Sequence, residues 1–240
     1  MRIVILLFAL LGFTLVSCRF GMGKRIHGNG NMTTDTRNPG DFRKVEQKGS
    51  FDIILKTGPA HEVVIEAEEN IAPHIETQID NNTLVIRTQE GFRLDPKRDI
   101  KIVVTSPEFE EVWSNGSGNI TSETLLADSN SLTIGTRGSG DITLQVQVPE
   151  VIAKSFGSGN IKLTGETRTV SLETAGSGDL TAEDLKAETV TIDINGSGNA
   201  TVNASKSLEV SVKGSGDVGY KGNPALKTDI KGSGNLHKLD

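Results

Sequence analysis

The residues best placed to do chemistry recur at one position. A tetrapeptide, Gly-Ser-Gly followed by Asn or Asp, begins at Gly116, Gly138, Gly157, Gly176, Gly196, Gly214 and Gly232. Its last position reads Asn119, Asp141, Asn160, Asp179, Asn199, Asp217 and Asn235, a strict alternation. Carboxylates on a rigid corner could collect oxygen ligands around calcium. Calcium-binding β-helix repeats, however, carry Gly-Gly-x-Gly-x-Asp loops spaced so that adjacent coils share ions. Here Asn223-Pro224 stands midway between Gly214 and Gly232, and only Asp141, Asp179 and Asp217 supply charge. Electrostatics explains the alternation without a metal. If the position stacks coil on coil, Asp throughout would bring like charges within ~5 Å, which is destabilising. A neutral Asn between any two Asp relieves that. The seven residues are expected to form a structural ladder, with no metal site and no cofactor.

Other chemistry is weaker. Ser117, Ser139, Ser158, Ser177, Ser197, Ser215 and Ser233 recur at one corner, which suits a hydroxyl ladder better than seven nucleophiles. His27, His61, His74 and His237 lack metal-ligand spacing and are expected to be solvated. Lys154, Glu173, Asp193 and Asp229 take outward positions, and a carboxylate pair ~5 to 9 Å apart could do glycosidic chemistry. A solenoid exposes such charges everywhere for solubility, so the chain is expected not to be an enzyme. Trp113 is expected to pack rather than stack on a ligand.

These positions need a scaffold that repeats with them. The tetrapeptides recur at intervals of 22, 19, 19, 20, 18 and 18 residues, a solenoid period. Six, four and two residues before each Gly the chain is mostly apolar or β-branched. Leu132, Val151, Val170, Val190, Leu208 and Leu226 are one such series; Ile134, Ala153, Leu172, Ile192, Val210 and Thr228 are the next. Alternation at period two means strands with one buried face. Each coil is then strand, Gly-Ser-Gly corner, strand and a looser corner. The expected fold is all-β: a right-handed parallel β-helix of about seven coils, the hand following the usual rule for parallel crossovers. The glycines are expected to permit φ > 0 and close stacking.

The chain start reads differently. Arg2 precedes an apolar run, Ile3 to Val16, that is short for a membrane span and laid out like a secretory signal. Leu15-Val16-Ser17-Cys18 resembles the lipobox of bacterial lipoproteins, which implies cleavage before Cys18 and lipid on its sulfur and new amino terminus. Residues 1–17 are thus a lipoprotein signal peptide, and 18–32 a flexible tether rich in Gly and basic residues. The tether lacks the acidic run of surface-exported lipoproteins and has no Asp at position 19. The expected address is the outer membrane, at the periplasmic rather than the cell-surface face. Residues 33–112 are a β-rich cap or first half of the helix, and 113–240 the repeat β-helix. Strands are expected at Phe51 to Lys56, His61 to Ala67, Ile75 to Asp80, Thr83 to Thr88 and Asp99 to Thr105. Asn81-Asn82 should close a tight hairpin with φ > 0 at both residues. A net charge of −6 offers no basic footprint for nucleic acid, and 4% aromatic content is too low for a sizeable sugar platform.

Several of these residues together carry a family resemblance. They are Gly28-Asn29-Gly30-Asn31, Phe42, the strand from Phe51 to Leu55, the Asn-Asn hairpin with Leu84-Val85-Ile86, and the serial Gly-Ser-Gly-Asn/Asp-Ile units. The chain after the tether resembles the GIN-type auto-transporter adhesin head domain family. The resemblance implies a parallel β-helix in a secreted or lipid-anchored envelope protein, and it brings no catalytic residues. The expected function is a lipid-anchored, adhesin-like binding or scaffold module. Its partners would be the membrane through Cys18 and a glycan or an envelope or host protein. The alternatives are a polysaccharide-binding or polysaccharide-cleaving β-helix protein, and a purely structural envelope protein without a ligand.

Overall fold

The computed structural model describes residues 23–127 and 129–240. The expected signal peptide, Cys18 and the start of the tether lie outside them. The chain forms β1 (Lys24–His27), β2 (Met32–Arg37), β3 (Lys44–Lys48), β4 (Asp52–Thr57), β5 (Glu62–Glu68), β6 (Ile75–Asp80), β7 (Thr83–Thr88), β8 (Phe92–Asp95) and β9 (Lys101–Ser106). Then come β10 (Glu111–Ser114), β11 (Ile120–Ser122), β12 (Ser131–Thr136), β13 (Ile142–Ser155), β14 (Ile161–Thr174), β15 (Leu180–Gly196), β16 (Ala200–Gly214), β17 (Val218–Lys221), β18 (Ala225–Gly232) and β19 (Leu236–Lys238). From β10 to β17 each strand pairs parallel with its equivalents in the coils before and after it, and β18 and β19 pair with the coil before. The expected β-solenoid is the fold observed.

Like stacks on like. Leu132, Val151, Val170, Val190 and Leu208 pair in register and are buried, as are Ile134, Ala153, Leu172, Ile192 and Val210. After the corner, Ile120, Ile142, Ile161, Leu180, Ala200 and Val218 form a third buried column. Each inward aliphatic side chain stabilises the coil by roughly 1.5–3 kcal/mol. Differences in coil length are absorbed away from the Gly-Ser-Gly corner. Pairing slips between Lys162 and Thr164, between Ala182 and Lys186, and between Ala187 and Thr189, while Gly196, Gly214 and Gly232 remain opposite one another.

The corner glycines answer mainly to space. Among them only Gly214 and Gly232 have positive φ, at 147° and 152°, so the expected need for left-handed backbone applies to few. A Cβ on Gly138 would stand 2.0 Å from the Gly116 carbonyl oxygen, and one on Gly140 would stand 2.1 Å from that of Gly118. The first glycine's carbonyl also accepts two N–H groups of the next coil, as Gly116 does from Ser139 and Gly140. The central serine points outward and meets no such limit.

Residues 41–112 continue the same helix. β3 pairs with β10 on one side and β7 on the other; β4 likewise lies between β11 and β9. The coil made by β7 and β9 therefore sits outside the earlier coil of β3 and β4, and the chain returns across it to begin the repeats. Antiparallel strands finish this end: β6 on β7, and β5 on β9 with β2 beyond it. Asn81 and Asn82 close the β6–β7 hairpin at φ 47° and 64°, as expected. One buried apolar cluster runs from Phe42 to Val218.

The tether expectation needs correction, because part of 18–32 is built into the fold. β1 pairs parallel with β8, and Arg25 and His27 both reach Asp95, at 2.9 and 2.6 Å. Beside it the fully buried Glu68 carboxylate accepts the Gly30 N–H at 2.5 Å and the Lys97 N–H at 2.8 Å. Burial works against ionisation, but the backbone N–H groups of Lys97, Gly30 and Arg98 outweigh it and hold the Glu68 carboxyl below its ordinary range. A carboxyl with a lowered folded pKa adds stability that is complete above its unfolded pKa of about 4.3 and is lost as pH falls through the folded value. Glu68→Gln keeps the size without the titration. Its melting temperature is expected to fall less steeply than the wild type's below about pH 4.5 in a calorimetric pH series. Parallel slopes would show that the Glu68 carboxylate is not what acid attacks.

Candidate binding surface

The Asn/Asp positions form one hydrogen-bonded column on the outside of the corner. Each side-chain oxygen accepts the backbone N–H of the equivalent residue in the next coil. Asn119 accepts from Asp141 at 3.0 Å, Asp141 from Asn160 at 2.8 Å, and Asn160 from Asp179 at 2.9 Å. Asp179 accepts from Asn199, Asn199 from Asp217, and Asp217 from Asn235, at 2.8, 2.9 and 2.8 Å. Asn160, Asn199 and Asn235 also donate a side-chain N–H to the Asp below, at 3.0, 3.1 and 3.2 Å. Asn thus presents a donor where a second Asp would present another charge. The column has an earlier member: Asp52, whose Oδ1 accepts the Asn119 N–H at 2.8 Å. Its coil reads Gly49-Ser50-Phe51-Asp52, and Phe51 in place of the second glycine hides the motif. The alternation therefore starts with Asp52.

Asn160→Asp would place a carboxylate oxygen where Asn160 Nδ2 now donates to Asp141. The variant is expected to lose roughly 0.2–1 kcal/mol per new like-charge pair, and added salt should shrink the loss. Lys162→Glu, outward and off the column, is the control for added negative charge. Calcium titration of the melting temperature discriminates a metal role: a steep rise for the wild type at micromolar calcium would replace the electrostatic explanation with a binding site. Among the described residues no three His, Cys, Asp or Glu side chains converge as a metal-ligand group.

The motif serines are exposed, so the expected hydroxyl ladder is not theirs. A buried hydroxyl column stands two residues upstream of the first four corners instead. Ser114, Thr136, Ser155 and Thr174 donate across it to the carbonyls of Gly118, Gly140, Gly159 and Gly178, at 3.4, 3.3, 2.9 and 3.4 Å. Gln47 continues that column into the first coil and accepts from Ser114 at 3.0 Å. Later coils put Ile194 and Val212 there.

The histidines are more engaged than expected. His61 lies edge-on to Phe42 and 3.2 Å from Asp41, while His74 stacks on Phe92 at 4.2 Å and bonds Gln89. The outward charges named above are tied to neighbours: Glu173 to Lys154 at 2.9 Å, Asp193 to Asn195 at 3.1 Å and Asp229 to Lys231 at 2.8 Å. An open depression of about 470 Å³ lies by Arg43, Thr57, His61, Pro107 and Glu108. Its main cation, Arg43, already pairs with Glu108 and Glu110. The hydrogen bond to Glu110 and the charge of Glu108 hold that guanidinium above its usual pKa.

The most distinctive surface lies beside the corner of the first repeats. Trp113 projects outward from β10 and lies over Gly135, where a Cβ would meet the indole at 2.1 Å. Arg137 lays its guanidinium 3.6 Å from the Trp113 ring centroid and 6.0 Å from that of Phe156. The two rings are nearly parallel, 7° apart in plane, with centroids 6.3 Å apart. Glu111 accepts the indole N–H, and Asn115 accepts from Arg137 at 3.3 Å. Trp113 is only 9% exposed, so packing describes it well, but Phe156 stays 38% exposed. Lys44, Glu46, Thr83 and Glu111 join Trp113 and Arg137 around a cleft of about 180 Å³. That is below the ~300–1,000 Å³ of an enclosing ligand pocket, so the patch suits surface contact. Phe156 escapes the sequence reading because Asn115, Arg137, Ala175, Asn195 and Lys213 share its position. An aromatic at an otherwise mostly polar outward site was the available signal.

A family model described as "Putative auto-transporter adhesin, head GIN domain" matches residues 41–224. A "putative adhesin" from Bacteroides fragilis has a similar structure, with a TM-score of 0.84 at 25% identity, covering 89% of this chain and 100% of that one. A "putative lipid binding protein" from Parabacteroides distasonis reaches 0.73 at 26% identity, over 90% and 100% of the two chains. A "putative adhesin" from Parabacteroides merdae reaches 0.69 at 19% identity, over 91% and 100%, a likeness of fold alone. No curated protein matches the chain.

Proposed function

The chain belongs to the head GIN-domain family, described as "Putative auto-transporter adhesin, head GIN domain", and from that premise we propose that it is a non-enzymatic, lipid-anchored binding module of the bacterial cell envelope. Cys18 carries the lipid, and the solenoid presents its flank to a glycan or to an envelope or host protein. The outer membrane, periplasmic side, is the proposed address. The observation that carries this reading is the Trp113–Arg137–Phe156 patch. It offers an exposed aromatic face, a guanidinium held in place by a second ring, and polar groups at its rim. Such a surface supports stacking and hydrogen bonding at little ordering cost. An adhesin-type module needs contact on a rigid support more than an enclosed site, and the stacked coils supply that support.

The test is retention on a glycan array and on immobilised envelope fractions. Wild type should be retained without cleaving the sugar. Phe156→Ala should lose about two- to tenfold in retention, in line with roughly 0.5–1.5 kcal/mol for an aromatic contact, with an unchanged melting curve. Cleaved sugar would make the chain an enzyme, and no retention on any surface would leave a scaffold. For the anchor, Cys18→Ala should move the protein from the membrane to the soluble fraction, since two acyl chains are what make anchoring stable. Full membrane fractionation of that variant would remove the lipoprotein part of the reading.

A further inference from the structure

Among the described residues the last coil leaves an open edge. β18 pairs with β16 on one side, and all eight of its residues are exposed. Its inward residues extend two buried columns without being covered: Leu226 follows Leu208 at 47% exposed, and Ile230 follows Val212 at 36%. The edge also offers backbone. In each coil the residue before the corner glycine donates its N–H back to the coil before, as Arg137, Phe156 and Ala175 do. By the same register Lys227, Asp229 and Lys231 turn their peptide groups toward β16. The peptide groups of Leu226, Thr228 and Ile230 then face the open side, a template for another strand.

We propose that this edge pairs antiparallel with the same edge of a second copy, about a two-fold axis at Thr228. Charge and shape select that register. Centred on Thr228, the pairing sets Lys227 opposite Asp229 twice and Leu226 opposite Ile230 twice. The residues whose peptide groups face outward then form the hydrogen-bonded pairs, and Lys227 and Asp229 form the closer, non-hydrogen-bonded pair. Centring on Lys227 or Asp229 instead opposes like charges. A shift of one residue turns the apolar side chains away from the core. Centring on Ile230 opposes Asp229 to Lys231 but carries Leu226 past the end of the strand. With Thr228 at the axis, both exposed apolar residues are covered and two rods join core to core.

The experiment uses residues 23–240, which include the whole buried cluster from Phe42 to Val218, in sedimentation across a concentration series. Wild type should pass from monomer to dimer. Lys227→Glu sets Glu against Asp229, and Asp229→Lys sets Lys against Lys227. Each should weaken self-association by about tenfold or more. Within the chain Lys227 also pairs with Glu209 at 2.6 Å and Asp229 with Lys231 at 2.8 Å, so each variant is expected to melt slightly lower, and circular dichroism checks that it stays folded. Mixed one to one, the two variants regain both opposite-charge pairs and should dimerise like wild type. A monomeric wild type would overturn the proposal. So would a dimer indifferent to both substitutions, a mixture that stays monomeric, or loss with Asp229→Lys alone, which is the signature of the Ile230-centred register.

Discussion

Ile192→Asp is expected to remove most of the protein's stability. Ile192 is fully buried in a central coil, with Leu172 and Val210 directly below and above it. Among the described residues no cation lies in that column to receive a carboxylate. Burying one unpaired is expected to cost about 4–5 kcal/mol, against a whole margin of roughly 5–15 kcal/mol for a domain. Urea unfolding of the variant should show a collapsed midpoint or no native baseline. The control lies one residue along: Asp193 is on the outer face, and Asp193→Ala should stay within about 0.5 kcal/mol of wild type. Equal losses at both positions would mean that the inward register is wrong.

Gly178→Ala should be the next most damaging change, although it adds one methyl group. The new Cβ would stand 2.1 Å from the Gly159 carbonyl oxygen and 2.6 Å from Ser155 Oγ. A backbone oxygen cannot swing aside, so the coils must separate. That strains the bonds from Ser177 and Gly178 to the Gly157 carbonyl, at 3.1 and 3.3 Å. A loss of about 3 kcal/mol is expected, at the upper end for overpacking. Ser177→Ala, at the exposed middle position of the same corner, should leave the unfolding midpoint nearly unchanged. If the two variants unfold together, the glycine is not there for lack of space.

Much of this was legible in the residues themselves. Pairing such as Val151 with Val170, or Leu172 with Ile192, follows from counting back from each Gly-Ser-Gly, because equivalent positions of neighbouring coils must meet. The Asn81-Asn82 hairpin and the strands at Ile75–Asp80 and Thr83–Thr88 were readable from local pattern. The seven Asn/Asp positions were identified, while Asp52 was hidden by one substitution, Phe51, in the motif that announces the others. The patch of Trp113, Arg137 and Phe156 was not legible. Its members lie 24 and 19 residues apart and meet only because successive coils lie on one another.

By itself, then, the sequence determined the repeating part: strand, corner, inward face and register. In a solenoid each contact joins like to like, so a local period is also a long-range contact. Tertiary structure alone decided the part without a period. It placed β7 and β9 outside β3 and β4, drew β1 onto β8, and buried Glu68 among backbone N–H groups from Gly30 and Lys97. Where no repeat labels the partners, a strand's neighbours depend on which edges the rest of the chain has left free and which antiparallel strands cover the end. That is a property of the assembled sheet, which no window of residues contains.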